Sequence, residues 1–218
     1  MAVFAEIEEV ESQLESLGLT RSGLERVVSA AVGGYTSTTR FHASSAAGTY
    51  LYHEATAALR RVLVPSNEDW DYDEQDQQPR VFSEVRGLTI VAQSGDEYTG
   101  LEDPDEEPRA RHPKGAATAR KVTVNSDQLA LFPMSLLVSG ADANAPSGML
   151  TWVLLIAIVD GVARSELSLP NQVDKQGKAC GWVHRILLPD HELGGAQAET
   201  TIGEEPTPDV EVDVEWKQ

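Results

Sequence analysis

Asp69, Asp71 and Asp73 stand at alternate positions in the stretch SNEDWDYDEQDQQPR, residues 66–80, and carboxylates spaced this way can converge on a calcium ion. The EF-hand loop that uses this spacing also needs Gly at its sixth position for the turn and Glu at its twelfth for a bidentate ligand. Those positions hold Glu74 and Arg80, so no metal is assigned to them. What remains is Glu68, Asp69, Asp71, Asp73 and Glu74 set around Trp70 and Tyr72. A solvated loop gives two aromatic rings little to pack on, and aromatic side chains are common interface anchors. The segment is therefore expected to dock on a partner.

The C-terminal run DVEVDVEW offers a second acidic surface. Val210, Val212, Val214 and Trp216 alternate with Asp209, Glu211, Asp213 and Glu215, the period of a strand with one packed face and one acidic face. Against these stands a basic island of Arg109, Arg111, His112, Lys114, Arg120 and Lys121. It could contact a phosphate or another anion through Arg109, Arg111, Lys114, Arg120 and Lys121, or neutralise the chain's own carboxylates at 102–107.

Bond-breaking chemistry finds weaker footing. Metal-assisted hydrolysis needs carboxylates converging on a cation, and Asp160, Glu166 and the acidic face of the C-terminal run are the candidates. The Glu-x-Lys triplet of nuclease cores is missing at Glu166, where Leu167 and Ser168 follow, and occurs only at Glu215–Lys217. His42, His53, His112, His184 and His191 lack ligand spacing, and there is no nucleophile elbow, dinucleotide fingerprint or phosphate-binding P-loop. Cys180 has His184 as its sole sequence-local base, and on a regular strand the two would share a face. No catalytic residue and no cofactor are assigned.

Charge narrows the partners. The 218 residues carry 35 acidic and 17 basic side chains, a formal charge of −18, which argues against nucleic acid, whose binding rests on Lys and Arg meeting phosphates. An anionic membrane surface is disfavoured for the same reason. One cysteine excludes an internal disulfide and any multi-cysteine metal site. The N-terminus lacks a basic leader and the longest apolar run, 149–159, falls short of a span, so a cytoplasmic protein is expected.

The elements that must carry these residues follow from period and punctuation. Val3, Phe4, Ile7, Val10, Leu14 and Leu17 recur at helical spacing and predict a first helix. Gly18 is placed to stop it and Thr20 to cap a second, which Gly33-Gly34 should end. A third is expected from about Ser45 to Leu63, with Leu51, Ala55, Ala58, Leu59 and Val62 inward. Ile7, Val10, Leu14 and Leu17 also fit a coiled-coil seam, so an oligomer through the N-terminal helices is a further arrangement the spacing permits. Strands are expected at 87–93, at KVTV (121–124), at 129–138 with Pro133 marking an edge or bulge, at 181–189 and at the C-terminus. TWVLLIAIV (151–159) reads as a strand covered on both faces, and Asp160-Gly161 as a hairpin turn into VARSELSL. Residues 66–80, 94–118 and 190–208 read as loops.

The expected fold is α+β: about three N-terminal helices packed on a mostly antiparallel sheet with a central Asp-Gly hairpin. Residues 1–65 form the helical region and 81–218 the β-rich one. The expected function is that of a non-catalytic acidic protein-binding module, an accessory subunit or inhibitor of a partner with a basic surface. The alternative is a metal-dependent hydrolase or nuclease using the hairpin and C-terminal carboxylates.

Overall fold

The computed structural model describes residues 1–66, 69–74, 78–111, 115–131 and 148–193. Strand β1 (Ala2–Phe4) leads into helices α1 (Ile7–Ser16), α2 (Arg21–Thr36) and α3 (Ala46–Leu63). Then come β2 (Asp71–Asp73), β3 (Arg80–Ser83), β4 (Leu88–Ser94), α4 (Gly115–Leu131), β5 (Leu150–Val159), β6 (Val162–Val173) and β7 (Ala179–Glu192). The strands form one seven-stranded sheet in the order β1-β7-β6-β5-β4-β3-β2. The β4–β5 and β1–β7 pairs are parallel and the other four are antiparallel. The fold is therefore α+β, with α1–α3 packed on one face of a mostly antiparallel sheet. No helix among the described residues is long and apolar enough to cross a membrane.

Local chemistry explains the elements. Gly18 takes the left-handed conformation, φ +71°, that ends α1, and the Thr20 hydroxyl accepts from the Gly23 N–H at 3.1 Å to cap α2. The Asp160-Gly161 turn has φ of +50° and +80°, as a type I′ hairpin requires, and Val159 pairs with Val162 across it. Strand β5 is buried on both faces. Trp152, Leu154 and Ile156 join the core under α1–α3, while Val153 and Leu155 join a smaller core with Val91, Val122 and Trp182.

Four expectations need correction. Val3 and Phe4 belong to β1, paired with Arg185 and Ile186 of β7, rather than to α1. Ile7, expected on the same packed face as Val10, Leu14 and Leu17, is left 58% exposed, while those three lie in the core as their spacing predicts. Gly33-Gly34 does not stop α2, which runs on to Thr36. A Cβ on Gly34 would lie 2.8 Å from Glu54 Cγ and 2.9 Å from the Tyr50 carbonyl, so this glycine lets α3 approach α2 closely. Residues 121–124 are helical, not a strand, because Val122, Asn125 and Gln128 recur at helical spacing and are the buried ones. Asn125 donates to the Thr151 and Pro170 carbonyls and accepts from the Thr151 N–H, fastening α4 to β5 and β6. The helix starts at Gly115, inside the expected 94–118 loop, and Pro133 lies outside the described residues.

One pH-dependent term is built into the sheet. His184 stacks between Phe4, 5.4 Å away, and Trp152, 6.3 Å away. Burial first, and then the charge of the amino terminus, lowers its pKa below the ordinary 6.5. The native state then holds its proton less tightly than the unfolded chain does. This term is fully present above pH 6.5 and is lost as pH falls through the lower native value. In urea titrations, the stability lost between neutral pH and about pH 5 should be smaller in His184→Phe than in the wild type. Equal losses would clear His184.

Candidate functional site

The 69–74 segment is less available than its composition suggests. Trp70 is 3% exposed and sits in the main core with residues of α1–α3 and β3–β7, so burial removes it from the set of surface anchors. Asp71–Asp73 is an edge strand, not a loop. Asp73 holds Arg80 through two 2.7 Å bonds, Glu74 lies 3.2 Å from Arg60, and Asp69 lies 3.6 Å from Arg86. Asp71 accepts from the Tyr72 N–H. Tyr72 is 49% exposed but carries Arg60 over its ring at 4.7 Å. Three arginines thus answer three of the carboxylates. Glu68, Asp209, Glu211, Asp213 and Glu215 lie outside the described residues, as does the expected C-terminal strand.

A different acidic surface is prominent. Between β4 and α4 the chain runs over the sheet face opposite α1–α3, and Glu97, Glu102, Asp103, Asp105 and Glu106 are exposed on it. Among the described residues none of the five is in an ion pair. Their field converges on Tyr98, whose hydroxyl is pushed above the usual phenol range by Glu106 first, then by burial, Glu97, Asp105 and Asp96. Asp96 is itself raised, because its desolvation outweighs the N–H bonds it accepts from Arg109 and Tyr98.

The loop is held firmly at several points. Gly95 bridges Ala110. The Gly100 N–H donates to Glu166 at 2.9 Å, and Arg185 donates to the Leu101 carbonyl at 2.8 Å. Trp182 donates its indole N–H to the Pro108 carbonyl at 2.7 Å and its backbone N–H to Glu107 at 3.2 Å. Gly100 has φ +78° and lies so close to β6 that a Cβ would meet that of Arg164 at 2.8 Å. Beneath the loop, Glu166 and Arg185 form a fully buried ion pair, with the Ser168 hydroxyl donating to Glu166.

That pair also settles where Glu166 points. It is spent on Arg185, while Asp160 occupies the hairpin turn. Among the described residues no three His, Cys, Asp or Glu side chains are placed to hold a metal ion. Cys180 and His184 answer to different neighbours. The register of β6 and β7 shifts between Leu169 and Pro170, and Gly181 has φ +64°, so strand alternation breaks between the two residues. The Cys180 thiol is pushed up by burial, then by Glu107 and Asp174, whereas His184 lies on Phe4 and Trp152.

The basic island is divided. Arg109 is exposed near Asp174, whose pKa it helps lower behind the backbone N–H of Lys178 and other causes. Arg111 borders a cavity of about 560 Å³ beyond the ends of β4 and β5. Arg120 and Lys121 lie on α4, where Lys121 donates to Gln78 at 2.7 Å. Lys114 is outside the described residues. The anchoring of the acidic loop does not register in the sequence, where the 102–107 carboxylates stand only as one of two possible partners of the basic island; Tyr98 among them, with Pro104 and Pro108, is the available signal. No family model, curated protein or solved structure matches this chain.

Proposed function

We propose that this protein is a non-catalytic binding module that presents an acidic surface to a partner protein with a basic one, and that the 96–107 loop is that surface. The supporting observation is the contrast between two acidic segments. At 69–74 the arginines of the chain itself answer the carboxylates. At 96–107 five carboxylates are exposed, with no ion pair among the described residues, on a backbone pinned to the sheet. A pinned loop loses little conformational entropy on binding. Complementary charge gives fast, salt-sensitive association. Nothing specific favours the hydrolase alternative, since its two described carboxylates already have structural roles.

The test compares two charge-neutralised variants in affinity capture from the native cell at low and high salt. One carries Glu97→Gln, Asp105→Asn and Glu106→Gln, and the other Asp69→Asn, Asp71→Asn and Glu74→Gln. With each exposed ion pair contributing about 0.2–1 kcal/mol, neutralising three in the first variant should weaken binding of the salt-eluted partner roughly threefold to a hundredfold. The second should bind nearly as the wild type. Undiminished capture by the first variant sinks the reading.

A further inference from the structure

We propose that the connection between α2 and α3, residues 37–45, together with the first two turns of α3, is a second docking surface whose partner is a protein presenting an apolar recess bordered by carboxylates. Its chemistry is opposite to that of the 96–107 loop, so this surface stands apart from the proposed function and does not depend on it. Phe41, at its tip, is 83% exposed, more than any other large apolar side chain among the described residues. Single apolar residues on a surface are ordinary, but this one has company. Arg40 lies over its ring at 4.9 Å, His42 meets Tyr50 edge-on at 5.8 Å, and Tyr50 is itself 39% exposed. Aromatic rings and arginine are the side chains that most often carry binding energy at interfaces.

The connection is held in shape by its own hydroxyls and by the His42 ring. Ser37 donates to the Gly34 carbonyl at 2.7 Å and Thr38 to that of Tyr35 at 2.9 Å. The Thr39 N–H donates to His42 Nδ1 at 3.0 Å, and the His42 N–H returns to the Thr39 carbonyl at 3.0 Å. Phe41 is therefore presented on a fixed backbone, and a surface fixed in advance loses little conformational entropy on binding.

The patch also has relief. Beside Tyr50, Gly33 and Gly34 leave a depression of about 430 Å³, which Ser37, His53 and Glu54 also line. Among the described residues, no heavy atom lies within 4 Å of where a Cβ on Gly33 would stand. A bilayer would accept the projecting ring and leave the depression unfilled. A folded partner can take the ring into a recess and return a side chain of its own, as close-packed interface cores do.

Charge sets the partner's chemistry. The chain carries 35 acidic residues, yet none falls between Glu25 and Glu54 in the sequence. Those two are answered by Arg21 at 2.6 Å and Arg61 at 3.4 Å. Arg40 is in no ion pair among the described residues. Screening at physiological ionic strength confines the influence of exposed charges to roughly 8 Å, so the tip offers a local cation on a molecule of formal charge −18. Carboxylates around an apolar recess complement Arg40 while the recess receives Phe41.

The test places the photo-crosslinker p-benzoylphenylalanine at position 41 of the full chain, irradiates it in an extract of the native cell and sequences the adducts by mass spectrometry. The same group at Val85, 64% exposed on the β3–β4 turn, is the control. The expected result is a discrete adduct at 41, absent at 85, in a partner segment with Asp or Glu beside the crosslinked residue. Unlabelled wild-type protein should compete the adduct away. Phe41→Ser and Arg40→Gln, exposed changes that should leave the melting temperature unaltered, should each need about tenfold more protein to do so. Competition by either variant equal to that of the wild type overturns the proposal. So does an adduct shared with the control, an adduct to lipid or to a second copy, a contact segment without carboxylates, or no adduct at all.

Discussion

Replacing Arg185 with methionine should cost about 3–5 kcal/mol of folding stability, because it leaves Glu166 as a buried charge without its counter-ion. In the native protein Arg185 meets both oxygens of Glu166, and neither side chain is exposed. Without it, the carboxylate keeps only the Gly100 N–H and the Ser168 hydroxyl. The Leu101 carbonyl loses its donor as well. The variant has a second signature: a stranded carboxylate is relieved by protonation, so its deficit relative to the wild type should shrink as pH falls. Replacing both partners, Glu166→Leu with Arg185→Met, removes the charges together and should recover most of the loss. Urea unfolding of the three variants decides it. A single Arg185→Met change costing under about 1 kcal/mol would mean that the pair does not hold the sheet.

Trp70→Ala is the second large effect, and it separates two roles for one side chain. Truncating a buried Trp typically costs about 3–5 kcal/mol, from lost transfer energy and the cavity left behind. Trp70 is enclosed by the core that joins α1–α3 to the sheet, so the urea midpoint should fall by that amount. Capture of the salt-eluted partner by the fraction still folded should be unchanged. Near-native stability with lost capture would instead make Trp70 an interface anchor.

What could be read in the sequence is what local backbone chemistry or strong apolar period dictates. Asp160-Gly161 fixes a turn whatever surrounds it. The 151–159 run could hardly be anything but a covered strand, and Gly18 and Thr20 mark helix ends through their own conformation and hydroxyl. What escaped depends on partners distant in the chain. Helix α4 turns Asn125 and Gln128 inward, so its buried face does not register as apolar. Gly34 looked like a helix stop because its reason, the closeness of Glu54 and Tyr50, lies on the next helix. Trp70 resembled a surface anchor because the core that encloses it comes from residues on both sides in sequence. The acidic loop was visible as composition, while its anchoring by Glu166, Trp182 and Arg185 was not.

The two outermost strands, β1 and β2, are only three residues long each. An exposed row of unpaired peptide groups invites a foreign chain to extend the ladder, and short or charged margins discourage it. At β2 the margin carries Asp71 and Asp73; at β1 it spans Ala2–Phe4. The long apolar ribbons, β5 and β6, lie inside, flanked on both sides. Among the described residues β5 and β6 therefore offer no outer margin to a neighbouring copy, whereas β1 covers β7 only from His184 to Ile186.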